Sequence, residues 1–146
     1  MELFKQFIFS FFATIGAAVL FSIPKDSIIS AGAIGGFGWI IYTFILNQYS
    51  SAVAGTFFGA LTVGILGELL ARHFKKPATV FIIPGIIPLV PGAGMYYTML
   101  ALIEKRFYDS VNIGAETLFI AVAIAIGIVM SSSLSRSIKR VKNKSR

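Results

Sequence analysis

The sequence predicts an all-α, polytopic membrane protein of about five transmembrane helices, the fourth broken at a proline–glycine motif. Three observations predict it. Of the 146 residues 56% are hydrophobic and only 13% charged, with a mean hydropathy of +0.83, a balance outside the range of soluble domains. The apolar residues gather into runs of roughly 20, enough to cross a hydrocarbon core at ~1.5 Å per helical residue. One of those runs, from about Ala78 to Ile103, is interrupted by Pro84-Gly85-Ile86-Ile87-Pro88-Leu89-Val90-Pro91-Gly92-Ala93-Gly94, with three prolines and three glycines in eleven residues. A proline in a helix interior removes an N–H and clashes with the preceding turn, at ~3 kcal/mol or more. The residue before each is pushed from helical geometry. The motif therefore predicts a break whose freed carbonyls and N–H groups face protein or a water-filled cavity, because lipid cannot satisfy them. Such breaks are a usual way to build a solute or ion site. The competing reading is a structural kink packed on a neighbouring helix.

The chain reads as a single integral membrane domain over residues 1–146. Its net charge of +7 does not point to nucleic acid, because the cations cluster at the ends of apolar runs. With no cysteine there are no disulfides and no thiol chemistry.

Residues 3–23 form the first span. They are too long for a signal peptide, and Phe21-Ser22-Ile23 is a poor cleavage site. Pro24 ends this helix, and Lys25, Asp26 and Ser27 make a short turn. The second span covers 28–46, where Ala31, Gly32, Gly35 and Gly36 allow a neighbour to approach closely. Trp39 and Tyr42 read as interface anchors, and residues 47–51 as a polar turn.

The third span covers 52–71 and carries two small-residue pairs, Gly55 with Gly59 and Ala60 with Gly64. Glu68 lies four residues before Arg72, which predicts an i,i+4 salt bridge near the membrane surface. The alternative is a proton-carrying or cation-pairing carboxylate facing the cavity. Arg72, His73, Lys75 and Lys76 form a basic turn. No ligand role falls to the lone histidine.

The fourth span, 78–103, holds the break. Its second half can restart as a helix with Pro91 near the first helical position. That helix N-terminus would aim free N–H groups and partial positive charge into the break, favouring a carboxylate. Tyr96, Tyr97 and Thr98 are the nearest polar side chains, with local packing and hydroxyl–carbonyl bonding as their bland reading. After a polar connection over 104–109, Ser110 or Asn112 can cap the fifth span, 113–130, which leaves Glu116 in its first turn. Residues 131–146 read as a basic tail attracted to anionic lipid through Arg136, Lys139, Arg140, Lys142, Lys144 and Arg146.

Five spans put ten of the thirteen Lys and Arg residues on one side and three, Lys5, Lys105 and Arg106, on the other. The positive-inside rule then places the N-terminus outside and the C-terminus in the cytoplasm. If the proline stretch were re-entrant, the split would be seven to six, so the charges favour a crossing segment. No phosphate loop, metal cluster, G-x-S-x-G or HExxH motif is present. The chain reads as no enzyme, with no cofactor and no metal site, and any pumping must draw on an ion gradient or on another subunit.

The run Gly67-Glu68-Leu69-Leu70-Ala71-Arg72, the basic turn with Pro77-Ala78, then Phe81-Ile82-Ile83-Pro84-Gly85-Ile86-Ile87-Pro88-Leu89-Val90-Pro91-Gly92 and Tyr96 resemble the threonine/serine exporter family. The likeness is to the small membrane component that corresponds to the C-terminal half of fused exporters, and also to the small subunit of the split type assigned to succinate export. It is specific over about 55–102 and rests elsewhere on hydropathy and order. The resemblance implies a secondary transporter in a bacterial cytoplasmic membrane, exporting small carboxylate-bearing solutes on the proton gradient. It also implies a larger partner subunit on a separate chain. It puts the family motif on Pro84, Gly85, Pro88, Pro91 and Gly92; Ala93-Gly94-Met95 before Tyr96 departs from it. Two other readings stand beside this one: a structural or assembly subunit with no substrate site, and a channel formed by a homo-oligomer of this chain.

Overall fold

The computed structural model describes residues 2–144, with side chains for 3–135. The helices are α1 (Glu2–Leu20), α2 (Lys25–Tyr49), α3 (Ala52–Phe74), α4 (Thr79–Ile86), α5 (Gly92–Ile103) and α6 (Phe107–Lys144), with a 3-10 turn over Ile87–Leu89 between α4 and α5. Four are long and apolar enough to cross a membrane by themselves, and α4 with α5 makes a fifth span bent by 49°. The protein is therefore an all-α polytopic membrane protein with a broken fourth span, as the sequence predicts.

Glycine decides which helices meet. Phe7 and Ile15 of α1 lie where Gly36 and Gly32 of α2 carry no side chain. Gly55 and Gly59 of α3 face Tyr42 and Gly38 of α2, whereas Ala60 and Gly64, one step round α3, face Gly127 and Ser131 of α6. The two small-residue stripes of α3 thus serve two different neighbours. Side-chain order along the contacts sets the directions. Phe57 and Ala60 lie level with Gly127, and Gly64 with Ser131, so α3 and α6 run parallel. Gly67 meets Ile82 and Gly59 meets Leu89, so α4 runs antiparallel to α3. Gly94 meets Thr117 and Thr98 meets Gly114, so α5 runs antiparallel to α6 and continues in the direction of α4. The two halves of the broken segment run in the same sense, bent by 49°.

The enclosed core is small and includes Ile34, Val63, Phe81 and Leu89. Large apolar side chains such as Phe9, Phe12, Leu20, Phe119 and Val129 cover the outside, as lipid contact requires. Threonine hydroxyls on this surface are satisfied within their own helices, Thr43 on Trp39 O and Thr62 on Phe58 O.

Several elements differ from the sequence reading for local reasons. Lys25, Asp26 and Ser27 form the first turn of α2 and no loop, because Pro24 enters a helix start without losing a needed N–H, and Asp26 suits the dipole there. The polar turn shrinks to Ser50 and Ser51, and Ser51 caps α3 by accepting from the Ala54 N–H at 3.2 Å. Neither Ser110 nor Asn112 caps α6, which begins at Phe107 and has Asp109, not Glu116, in its first turn. The Arg106 guanidinium bridges Glu104 (2.6 Å) and Asp109 (2.8 Å) across that turn, and its pKa is raised first by the bond to Glu104, then by that to Asp109. Ser131 begins no separate tail, for α6 stays helical through Lys144 with Ser131 and Ser135 buried. The side chains of Arg136, Lys139, Arg140, Lys142 and Lys144, and all of Arg146, lie outside the described residues.

Candidate functional site

Pro84 sits inside α4, so the helix passes the first proline and fails only at the second and third. Beyond it the chain tightens. The Ile87 N–H donates to Pro84 O, Val90 N–H to Ile87 O at 3.2 Å, and Gly92 N–H to Val90 O at 2.8 Å. Pro91 then precedes α5, whose first turn carries no side-chain cap. Its free N–H groups supply the positive end of the helix dipole beside the break. Leu89 pins the break, its side chain seated in the hollow left by Gly38 and Gly59.

The structure separates the residues that the sequence singles out. Pro84 and Gly85 are buried, and Gly85 lies against Val63 and Ile34. Pro91 and Thr98 line an open apolar groove of about 760 Å³ between α5 and α6, with Met95, Thr117 and Ile124. Thr98 donates its hydroxyl to Gly94 O at 2.7 Å. Tyr96 and Tyr97 are exposed, their rings 5.3 Å apart edge to face. Pro88 faces the opposite way, into a cavity of about 250 Å³ against α1 and α2. Gly92 has open space around it.

Glu68 lies on the α3–α6 seam. The expected salt bridge to Arg72 is replaced by contacts to α6. Ser135 and Ser132 donate to the Glu68 carboxylate at 2.9 and 3.3 Å, and Arg72 donates to Ser135 O at 2.8 Å and to its hydroxyl. The parallel register brings those serines level with the end of α3, so they intervene between acid and base. A polar cavity of about 300 Å³ opens here, lined also by Lys75 and Lys76. Lys76 in turn donates to Asp26 (2.5 Å) and Ser27 (2.9 Å), tying the α3–α4 turn to the first turn of α2.

Two polar side chains beside the break escaped the sequence reading. The Trp39 indole N–H donates to Gln6 Oε1 at 2.6 Å. Ser10 Oγ donates to Gly35 O at 3.1 Å. The available signal was the spacing of Gln6, Ser10 and Thr14, four residues apart on one face of an apolar helix.

The family profile described as "Threonine/Serine exporter, ThrE" matches residues 6–134. A protein of Haemophilus influenzae, described as "Uncharacterized protein", is 23% identical over 142 residues, covering 92% of this chain and 48% of that one. A "Threonine/serine exporter" of Corynebacterium glutamicum is 31% identical over 115 residues, 79% of this chain and 23% of its own length. The chain thus spans about half of one relative and about a quarter of the other. No solved structure matches it significantly. The family profile runs through every helix, α1 to α6, and takes in the whole proline–glycine break, so this multi-pass membrane protein belongs to the threonine/serine exporter family.

Proposed function

We propose that this chain is the smaller membrane subunit of a secondary transporter that exports small carboxylate-bearing metabolites, threonine and serine or a dicarboxylate such as succinate. It is no enzyme in this reading and acts with a larger partner subunit. The observation that carries the reading is the broken fourth span, whose uncapped α5 N-terminus offers N–H donors and positive potential to an anion. Pro84, Gly85, Pro88, Pro91 and Gly92 shape that break, and Tyr96, Tyr97 and Thr98 on α5 complete the solute's surroundings once the partner is docked. The relatives' greater length supports the partner, since the matched region makes up 48% of one and 23% of the other.

Glu68 is the proton-coupling candidate, held by serines that can accept either protonation state of the carboxyl. The whole chain forms one domain in a bacterial cytoplasmic membrane, N-terminus outside and C-terminus in the cytoplasm, with the basic end of α6 against anionic lipid.

The test is efflux of labelled threonine, serine and succinate from cells carrying this chain with and without the larger partner. Export that needs both chains is expected, and the solute released identifies the substrate. Export by this chain alone would make it a self-sufficient homo-oligomer. An assembled pair that releases none of the three contradicts the proposal. In an active pair, Glu68→Gln is expected to abolish the proton dependence of export, and unchanged dependence would remove Glu68 from the mechanism.

A further inference from the structure

The break has a second side, facing α1. There Gln6, Phe9, Ser10, Ala13, Trp39 and Pro88 line an open recess of about 250 Å³, with Phe9 at its exposed rim. Its walls are apolar apart from Gln6, Ser10 and the edge of Trp39. Ser10 has already placed its proton on Gly35 O, so its oxygen remains only an acceptor.

Gln6 is different. An indole N–H can only donate, so the Gln6 oxygen must be the atom turned to Trp39, and the amide orientation is fixed by chemistry. That leaves the Nε2 group with two donors, and no side chain or carbonyl accepts from them among the described residues. Gln6 is half-buried, so this amide nitrogen is accessible from the recess and free to donate. Gln6 is thus a held, neutral hydrogen-bond donor beside the proline that begins the break.

We infer that Gln6, oriented by Trp39, is a solute-binding residue that donates its Nε2–H to a carboxylate or hydroxyl oxygen of the exported metabolite in the cavity beside Pro88. The inference rests on the exporter reading above and places a further solute contact on the α1 side of the break, away from the Pro91–Thr98 groove. A neutral donor suits a transporter, because it recognises an oxygen without the strong attraction that would slow release. Ser10 Oγ offers an acceptor in the same cavity, which suits a solute bearing a donor group such as an ammonium or hydroxyl.

Trp39 is the only tryptophan of the chain, which gives the cavity its own reporter. The experiment uses the purified pair with its larger partner in lipid nanodiscs. Its emission is recorded against that of the pair carrying Trp39→Phe, so that the difference belongs to Trp39. Threonine, serine and succinate are each titrated, and efflux KM and maximal rate are measured in vesicles. With the wild type, the exported solute is expected to shift Trp39 emission saturably.

Gln6→Glu keeps an acceptor for the indole and replaces the two donors by an anionic oxygen. It is expected to raise the KM and weaken the fluorescence titration about tenfold or more at neutral pH, with assembly intact. Gln6→Leu, which removes both functions, is expected to raise the KM as well and to lower the melting temperature. A wild-type pair that exports with no change in Trp39 emission, and with the same KM in Gln6→Glu, overturns the inference and leaves the exporter reading standing. A lower melting temperature with unchanged KM in both variants also overturns it, showing a bond that only joins α1 to α2. A pair that exports none of the three solutes removes both readings together, and the wild-type efflux alone distinguishes that case.

Discussion

Gly64 and Ser131 show how tightly single residues hold this bundle. A Cβ on Gly64 would stand 2.6 Å from the Ser131 Cβ, and Ser131 is 1% exposed, with its hydroxyl already bonded to Ile128 O. Neither side can yield, so Gly64→Ala should destabilise the α3–α6 seam by about 1–3 kcal/mol. Adding Ser131→Gly should recover most of that, and thermal unfolding of the three variants in detergent checks it. Equal melting of Gly64→Ala and wild type would show the seam to be loose. Gly92 is the opposite case. It is helical, has no positive φ, and a Cβ there meets nothing within 4 Å. Gly92→Ala should therefore change stability by less than about 0.5 kcal/mol, so any loss of export in that variant reports on the break. Left-handed positions go instead to Ser22, Ser50, Lys75 and Lys105, with φ of 54°, 51°, 53° and 59°. Lys75→Gly should consequently stabilise the end of α3, by about 1 kcal/mol, again read from thermal unfolding.

At the scale of elements, the bend between α4 and α5 depends on what Pro88 and Pro91 lack. Restoring both N–H groups with Pro88→Ala and Pro91→Ala lets the helical ladder run on through Ile87–Leu89, and the 49° bend should relax. Spin labels near Val80 and Ile103 would then move apart, whereas an unchanged distance would assign the bend to Leu89 in its glycine hollow. This break was legible in the sequence because Pro and Gly act locally. The α3 stripes were legible as spacing, but nothing in Gly55, Gly59, Ala60 and Gly64 says that the first pair seeks α2 and the second α6. The continuation of α6 was not legible, because Ser131, Ser132 and Ser135 read as solvated until the parallel register sets them against Gly64, Glu68 and Arg72. The Gln6–Trp39 bond joins residues 33 positions apart, and no local pattern announces such a pair. Of the proposed solute contacts, the prolines came from the motif and Gln6 only from the fold.

At the scale of the whole molecule, α4 and α5 run in one direction, and the proposed orientation gives each turn a definite side of the membrane. The protein has no cysteine, so single substitutions report sidedness cleanly. Ser50→Cys and Lys105→Cys should react with an impermeant thiol reagent from outside the cell, and Lys75→Cys only after the membrane is opened. Lys75 and Lys105 on one side would make the proline segment re-entrant. In the proposed function the break itself meets the solute. That is tested most directly by export per assembled complex, with this chain carrying Pro88→Ala and Pro91→Ala beside its larger partner. The pair is expected to assemble in normal amounts while export per complex falls about tenfold or more, as when a positioned anion site is lost. Undiminished export per complex, or loss of the complex itself, would contradict that reading and leave the break a structural joint.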